Sequence, residues 1–257
     1  MTDAVVSLDN VGVSFTTGPL WRRRSVEALR AVSLSIAAGE TLGLVGESGS
    51  GKTTMGRLLL GLQPPTTGAV RFLGKAMGAS RRERQALLAG RMSVVLQQPE
   101  WALNPRLRVG VSVAEPLAVA GVGTRLQRQA QVAAMLSLVG LDAELAARFP
   151  HELSGGQRQR VAIARALITQ PQLVVFDEAV SALDVSVQVQ ILNLILELQQ
   201  RQGFAALFIS HDLAATRYVC SRIAVMRAGE VVEIGDAARF YQQPHHAYSQ
   251  ALWQAAA

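Results

Sequence analysis

A glycine-rich segment at residues 46–53 has the composition of a phosphate-binding loop. It is GESGSGKT, which matches G-x-x-x-x-G-K-[ST] between an apolar run and a helix-like run. Glycines let backbone N–H groups turn toward phosphate oxygens, and the following helix N-terminus adds a positive potential. We expect Lys52 to reach the β- and γ-phosphates and Thr53 to bind Mg²⁺, whereas a chance Lys-Thr in a glycine-rich turn is disfavoured by the flanking patterns. The predicted nucleotide-binding residues here are Gly46, Glu47, Ser48, Gly49, Ser50, Gly51, Lys52, Thr53 and Thr54.

A second segment, HELSGGQRQR at residues 151–160, also has the composition of an anion cradle. Ser154, Gly155 and Gly156 stand immediately before a helix-like run, so their backbone N–H groups can face an anion. The loop at 46–53 already has donors for one γ-phosphate, which makes a second set redundant for the same nucleotide. We therefore expect this segment to cap the ATP of another subunit. ATP would then join two chains, and its hydrolysis would release them.

Two further segments place ionisable groups directly after apolar strands. LVVFDE ends in Asp177 and Glu178, where Asp177 can hold Mg²⁺ through water and Glu178 can orient or deprotonate an attacking water. A helix-capping Asp-Glu pair is the structural alternative. His211 follows the strand pattern in FISHD, and strands of a parallel sheet end at one edge, so it can contact a γ-phosphate. A lone histidine is more often structural, and spacing alone leaves both roles open.

The elements that must position these groups alternate between strand and helix patterns. VVSLDNVGVSF and ALRAVSLSIAAGE alternate with period two and predict a small antiparallel sheet. A buried strand, the glycine-rich turn and a helix ending near Gly61 follow. Later runs predict a helix ended by Pro171, the strand QLVVFDE, an amphipathic helix closing at Gly203 and the strand FAALFIS.

This order predicts an α/β fold with a mainly parallel sheet covered on both faces. We expect an N-terminal antiparallel β subdomain and an inserted helical subdomain. The chain is interpreted as a single domain, 1–257. Its core would be about 1–96 and 161–257, with a proline-punctuated helical insertion at about 97–160.

Composition predicts a packed chain without membrane spans or disulfides. The sequence is 49% apolar and 17% charged. It has no apolar run long enough to span a bilayer, and no basic region followed by an apolar stretch at its start, so we expect no secretion signal. Cys220 is the sole cysteine and is expected to be a buried thiol. Basic clusters at 22–24 and 81–84 have no aromatic platform beyond Trp21, which disfavours nucleic acid as a partner.

The motifs in order resemble the ATP-binding subunit of an ABC transporter over nearly the whole chain. They are GESGSGKT, Gln97 in VVLQQP, LSGGQ, LVVFDE, SALD and His211. The resemblance implies a P-loop NTPase fold of ABC type, ATP and Mg²⁺ as ligands, and hydrolysis of ATP as the activity. It also implies that Gln97 senses Mg²⁺ and the attacking water and links the site to a transmembrane partner.

The same resemblance assigns roles to the remaining site residues. The trans-acting phosphate motif is implied to be Ser154, Gly155, Gly156 and Gln157. Asp184 is implied to communicate with the opposite site, and His211 to be the switch histidine. Phe15 is similar to the aromatic residue that stacks on adenine, with Trp21 in the insert TTGPLWRRRSVE as the other candidate.

Finer details resemble the oligopeptide, dipeptide and nickel importer group. These details are LNPRLRV, SALDVSVQVQILNLI and PHHAYSQAL. The resemblance leaves the solute open between a peptide and nickel or a metal chelate. The short end of the chain after PHHAYSQAL, and Ala179 where many relatives have proline, tilt the expectation toward the nickel branch. His245 and His246 are adjacent, which is poor geometry for sharing one ion, so we expect no metal site there.

The partners implied by this resemblance are two integral membrane permease subunits, a second ATPase subunit and, indirectly, an extracytoplasmic solute-binding protein. The ATPase dimer can be of two copies or of two related chains, and the group favours a heterodimer. The expected location is the cytoplasmic face of the membrane. The alternatives are a soluble ABC-type ATPase that acts on DNA or ribosomes, whose usual long coiled coils and zinc-binding cysteines are not visible in the sequence, and a non-catalytic structural partner.

Overall fold

The computed structural model describes residues 4–17 and 24–256. Trp21, the second candidate for adenine stacking, lies outside these residues. The chain folds as two compact units: the first unit is Met1–Leu88 with Ala205–Ala257, and the second unit is Ala89–Phe204. The subdomain boundaries expected near residues 97 and 160 stay a prediction.

The elements that the alternating patterns predict are present in the predicted order, and the structure adds strands and helices that the patterns did not identify. In chain order the strands are β1 (Ala4–Thr17), β2 (Arg24–Ala37), β3 (Thr41–Val45), β4 (Thr67–Phe72), β5 (Lys75–Ala76), β6 (Met92–Leu96), β7 (Leu173–Asp177), β8 (Ala205–Ile209), β9 (Arg222–Arg227) and β10 (Glu230–Asp236). The α-helices are α1 (Lys52–Leu59), α2 (Arg81–Leu88), α3 (Val109–Val119), α4 (Arg125–Leu138), α5 (Gly155–Leu167), α6 (Val185–Gln202), α7 (Leu213–Val219), α8 (Ala237–Gln242) and α9 (Ala247–Ala256). Short 3₁₀ helices lie at Pro99–Trp101, Ala143–Ala147 and Pro150–Glu152.

The first unit contains the antiparallel sheet predicted from the N-terminal alternation. Its strand order is β2-β1-β4-β5, and β1 pairs with β2 from Ala4↔Ala37 onward. The buried residues of β1 include Val5, Val6, Leu8, Val11 and Val13, so burial does not alternate strictly along this strand. The sequence patterns did not identify β4 and β5.

The first unit also contains parallel strands that end beside the phosphate-binding loop. β3 lies between β8 and β9 and is parallel to both, while β10 is antiparallel to β9. All five residues of β3 and all five of β8 are buried. Strands that are buried along their whole length are expected where both faces of a parallel sheet are covered.

The second unit combines two parallel strands with most of the long helices. β6 pairs in parallel with β7, and α4 begins with a capping box in which the Thr124 side chain accepts from the Gln127 N–H. α6 ends at Gln202 and is capped by Gly203, whose φ is 70°. Pro116 lies inside α3, which ends three residues later at Val119. A proline inside a helix lacks the N–H for one backbone hydrogen bond.

These observations confirm an α/β fold with an antiparallel β subdomain and a parallel-rich sheet. Cys220 is buried as expected, and desolvation raises the pKa of its thiol. Among the described residues, no helix combines the length and the apolar character needed to cross a membrane.

Candidate functional site

The phosphate-binding loop is a closed turn between β3 and α1. The Lys52 ammonium, whose residue is 8% exposed, donates to the Gly46 carbonyl oxygen at 2.7 Å and to the Glu47 carbonyl oxygen at 2.8 Å. These two hydrogen bonds tie the start of the loop to the first turn of the helix. Lys52 therefore helps to close the loop on itself.

Two glycines of the loop hold conformations that other residues would strain. Gly46 has φ 149°, and a Cβ there would collide with the Met226 carbonyl oxygen. Gly51 has φ 110°, and a Cβ there would lie 2.7 Å from the Ala28 carbonyl oxygen. These close approaches explain the glycines in the motif, and they leave backbone N–H groups uncovered by side chains, as an anion cradle requires.

The outer side of the loop, residues 47–50, is held by two contacts that the sequence did not predict. The Gly229 N–H donates to the Ser50 carbonyl oxygen at 2.9 Å, and the Tyr248 hydroxyl accepts from the Glu47 N–H at 3.1 Å. The only sequence signal near Tyr248 was PHHAYSQAL, which we used to assign a subfamily and not a site.

Phe15 and His211 both lie in the first unit, Phe15 on β1 and His211 after β8. His211 follows β8, which pairs with β3 through Leu44↔Ile209, so it leaves the same sheet edge as the loop. Phe15 is exposed and pairs with Val26 on β2, two residues before the Ala28 carbonyl that approaches the loop. The adenine-stacking and switch roles of these two residues stay predictions.

The acidic pair lies at the carboxyl edge of the second unit's strands. β6 and β7 are paired through Leu96↔Asp177, so Gln97 and Glu178 both follow this last pair. Asp177 and Glu178 are half-buried. The structure therefore brings the predicted glutamine and the predicted acidic residues to one strand edge.

A buried glutamine that sequence reasoning missed supports the turn after the acidic pair. Gln159 on α5 is completely buried, and its Nε2 donates to the Ala179 carbonyl oxygen at 2.7 Å. It lies two residues after Gln157 in LSGGQRQ, on the helix that the motif begins. The one available signal was its position in that motif, on an otherwise apolar helix face. A polar side chain buried on such a face must be hydrogen-bonded.

The second anion cradle is the N-terminus of α5. The Ser154 hydroxyl accepts from the Gln157 N–H at 3.2 Å, and the Gln157 Oε1 accepts from the Ser154 N–H at 2.9 Å. This capping box leaves the N–H groups of Gly155 and Gly156 at the mouth of the helix. The same residues and Asp184 line a cavity of about 380 Å³, so Asp184 and the second cradle share one surface.

His245 and His246 connect the C-terminal residues to β10. The N–H groups of His245 and His246 donate to the Glu233 carboxylate, and His246 Nδ1 accepts from the Tyr248 N–H. No group of three or more His, Cys, Asp or Glu side chains suited to a metal ion occurs in the described ranges 4–17 and 24–256.

The fold and the loop define a phosphate-binding α/β protein. A family model described as ABC transporter matches residues 29–181. This match covers more than half of the chain, so the chain belongs to the ABC transporter family. It is an ATP-binding protein and an ATPase of that family.

The names of similar proteins are consistent with this family. A Brucella abortus (strain 2308) protein named "Putative peptide import ATP-binding protein" is 49% identical over 253 residues, which are 97% of this chain and 76% of that protein. The glutathione import ATP-binding protein GsiA of Pectobacterium atrosepticum is 48% identical over 232 residues, which are 90% of this chain and 37% of that protein.

Solved structures of the family have the same fold. The cbiO1 protein of Clostridium perfringens, described as part of the ABC transporter complex cbiONQ, has a TM-score of 0.83 at 25% identity over 94% of this chain and 92% of that chain. The ATP-binding cassette MJ0796, as a dimer bound to ADP and Pi after hydrolysis, has a TM-score of 0.79 at 31% identity over 90% of this chain and 98% of that chain.

Proposed function

We propose that this chain binds ATP with Mg²⁺ and hydrolyses it to drive solute uptake through membrane permease subunits. The hydrolytic role rests on the register Leu96↔Asp177, which supports a catalytic edge where Gln97 stands beside Asp177 and Glu178. The import role is supported by the names of the relatives from Brucella abortus and Pectobacterium atrosepticum.

The predicted site residues have separate roles in binding ATP and in hydrolysing it. The backbone N–H groups of 46–54 and the Lys52 ammonium bind and orient the phosphates. The Glu178 carboxylate orients or deprotonates the attacking water, and His211 contacts the γ-phosphate. Adenine stacks on Phe15.

Magnesium fits the donor set that the chain offers. Thr53, Gln97 and Asp177 supply hydroxyl, amide and carboxylate oxygens, which are the ligands that Mg²⁺ prefers. When bound, the ion supplies positive charge that neutralises the phosphate oxygens.

The dimer is formed by ATP held between two chains. Ser154, Gly155, Gly156 and Gln157 cap the ATP bound to the loop of the other subunit, and Asp184 senses that site. The cavity shared by Asp184 and the α5 N-terminus supports this assignment. We propose that the second subunit is a related ATPase chain rather than a copy, and purification of the assembled transporter followed by mass spectrometry distinguishes the two.

A groove in the second unit is proposed as the docking site for a permease helix. It has a volume of about 580 Å³ and is lined by apolar side chains of α3 such as Val111 and Ala118 and by Arg125 and Arg128 of α4. Glu115 also lines the groove, but its carboxylate is paired with Arg165. Arginines beside an apolar groove complement an amphipathic helix with an acidic side chain. The assembly would hold this chain at the cytoplasmic face of the membrane, with an extracytoplasmic binding protein as an indirect partner.

The docking proposal is tested with Ala118→Arg, which places a charged side chain in the groove. Co-purification with the permease subunits should fall at least about tenfold while ATP binding is retained, because the apolar contact is lost. Leu126→Arg on α4 is the matched control, since Leu126 is 76% exposed and lies outside the groove lining. Equal loss of the permeases in both variants would contradict the groove assignment.

We propose a peptide as the solute, because the relatives are named for peptide and glutathione import. Nickel or a metal chelate is the other candidate from the sequence. ATP turnover of the reconstituted transporter should rise with a peptide-loaded binding protein and stay at its basal rate with nickel. A soluble ATPase that acts on DNA or ribosomes is not favoured, and recovery of ribosomes in place of permeases in a pull-down would revive it.

A further inference from the structure

The C-terminal segment contacts the phosphate-binding loop. The Tyr248 hydroxyl at the start of α9 accepts a hydrogen bond from the Glu47 N–H, across 201 residues of sequence. The side chain of Tyr248 is buried. A backbone amide of the loop is therefore satisfied by a side chain from the far end of the chain.

The ring of Tyr248 is held in place by β9. The Arg227 guanidinium carbon lies 4.9 Å from the ring centroid, in a cation–π contact. Arg227, Tyr248 and the loop residues 47–50 border one cavity of about 260 Å³. The Gly229 N–H donates to the Ser50 carbonyl two residues beyond Arg227, so the β9–β10 turn supports the same outer side of the loop.

The residues before Tyr248 are anchored on β10. The Glu233 carboxylate accepts the His245 N–H at 2.9 Å and the His246 N–H at 3.0 Å. His246 Nδ1 then accepts the Tyr248 N–H at 3.1 Å. We name residues 244–249 the C-terminal clamp, because these bonds fix the backbone from which the tyrosine reaches the loop.

We propose that Tyr248 is a positioning residue for ATP binding and that the C-terminal clamp preorganises the outer turn of the loop. This inference rests on the proposed role of the loop in binding the triphosphate. A loop that is already ordered gives up less conformational freedom when its amides bind an anion. Without the tyrosine hydroxyl, the Glu47 N–H turns to water and ATP must order the loop itself. Tyr248 contacts no reacting atom, so its effect falls on affinity and not on the chemical step.

The test is Tyr248→Phe, which keeps the ring against Arg227 and removes only the hydroxyl. We expect the Kd of a fluorescent ATP analogue, and the KM for ATP of the assembled transporter, to rise about three- to tenfold, since one hydrogen bond is lost. The kcat should stay within about twofold of wild type. Glu233→Ala releases the C-terminal clamp while keeping the tyrosine, and should raise Kd in the same direction.

The matched control is Tyr241→Phe in the same unit. The Tyr241 hydroxyl contacts Thr216 Oγ1 at 2.6 Å and donates to the Leu213 carbonyl oxygen at 2.9 Å. This variant should lower thermal stability and leave the Kd for the ATP analogue unchanged. Wild-type Kd and KM in both Tyr248→Phe and Glu233→Ala would overturn the proposal. Retained ATP affinity in Lys52→Ala would instead overturn the proposed role of the loop in binding ATP. Failure of the Tyr248 proposal and failure of the loop proposal are therefore measured in different variants.

Discussion

Glu178 has a backbone conformation that is rare for a residue with a side chain. Its φ is 51°, in the left-handed region. The turn stabilises this conformation, because the Glu178 carbonyl oxygen accepts from the Ser181 N–H at 3.2 Å and from the Ser181 hydroxyl at 3.0 Å. Strain of this kind concentrates at functional sites, which supports the proposed role of Glu178.

Glu178→Gln should abolish most turnover while leaving ATP binding intact. Removing a general base lowers the rate by about 10²–10⁴-fold, and the amide is nearly isosteric with the acid. Turnover is measured as phosphate release from the assembled transporter, and binding is measured with a fluorescent ATP analogue. Glu197→Gln on α6 is the control, because Glu197 is an exposed partner of Arg201 and should leave turnover unchanged. Wild-type turnover in Glu178→Gln would remove this residue from the proposed reaction.

At the scale of elements, α5 and the turn after β7 are joined by one buried hydrogen bond. Gln159→Leu deletes the bond from Gln159 Nε2 to the Ala179 carbonyl oxygen, and that carbonyl is then left without its donor. We expect turnover to fall about tenfold and stability to fall by about 1–3 kcal/mol, with ATP affinity unchanged.

The control for this variant is Gln199→Leu on α6. Gln199 is also buried and donates to the Phe204 carbonyl oxygen at 3.3 Å. It should lose stability without losing turnover per folded molecule. If the two glutamine variants turned over ATP equally fast, Gln159 would have only a structural role.

The C-terminal clamp should respond to acid. Burial alone would raise the pKa of Glu233, but hydrogen bonds from the His245 N–H and the His246 N–H outweigh it and hold the pKa below its usual value. A lowered pKa means that the stabilisation is present above the unfolded pKa of about 4.3 and is lost as pH falls through the folded value. Wild type should therefore lose more stability than Glu233→Gln between about pH 5 and pH 3. Urea midpoints at the two pH values measure this, and equal losses would contradict it.

Local patterns predicted the elements whose signals are contained in a short stretch of sequence. The loop at 46–53 and the strand before Asp177 are examples, because glycines, a lysine and an apolar run suffice to define them. The contact between Tyr248 and Glu47 was not predictable, since it joins residues that only the tertiary fold brings together. The left-handed backbone of Glu178 was also missed, because an acidic residue gives no signal for positive φ.

At the scale of the whole molecule, two chains should share each ATP. A dimer of a Gly156→Asp chain and a related subunit whose own phosphate-loop lysine is replaced by alanine would place both defects in one composite site and leave the other site intact. A dimer of a Lys52→Ala chain and the same altered subunit would damage both sites. With the proposed catalytic glutamate replaced by glutamine in both subunits to prevent hydrolysis, ATP should hold the first dimer together at least about tenfold more tightly than the second. Analytical ultracentrifugation with ATP measures this, and equal dimerisation of the two mixtures would exclude ATP sharing.

The single thiol of the chain makes the protein suitable for site-directed labelling. Cys220 is buried, and a Cβ at Gly43 would lie 2.9 Å from its sulfur, so a maleimide has no room to enter the folded protein. Burial also raises the pKa of the thiol, which keeps it from forming the reactive thiolate. Fluorophores or spin labels attached to cysteines introduced on the surface would therefore report distances with little background, and the native protein itself should react with maleimide only after denaturation.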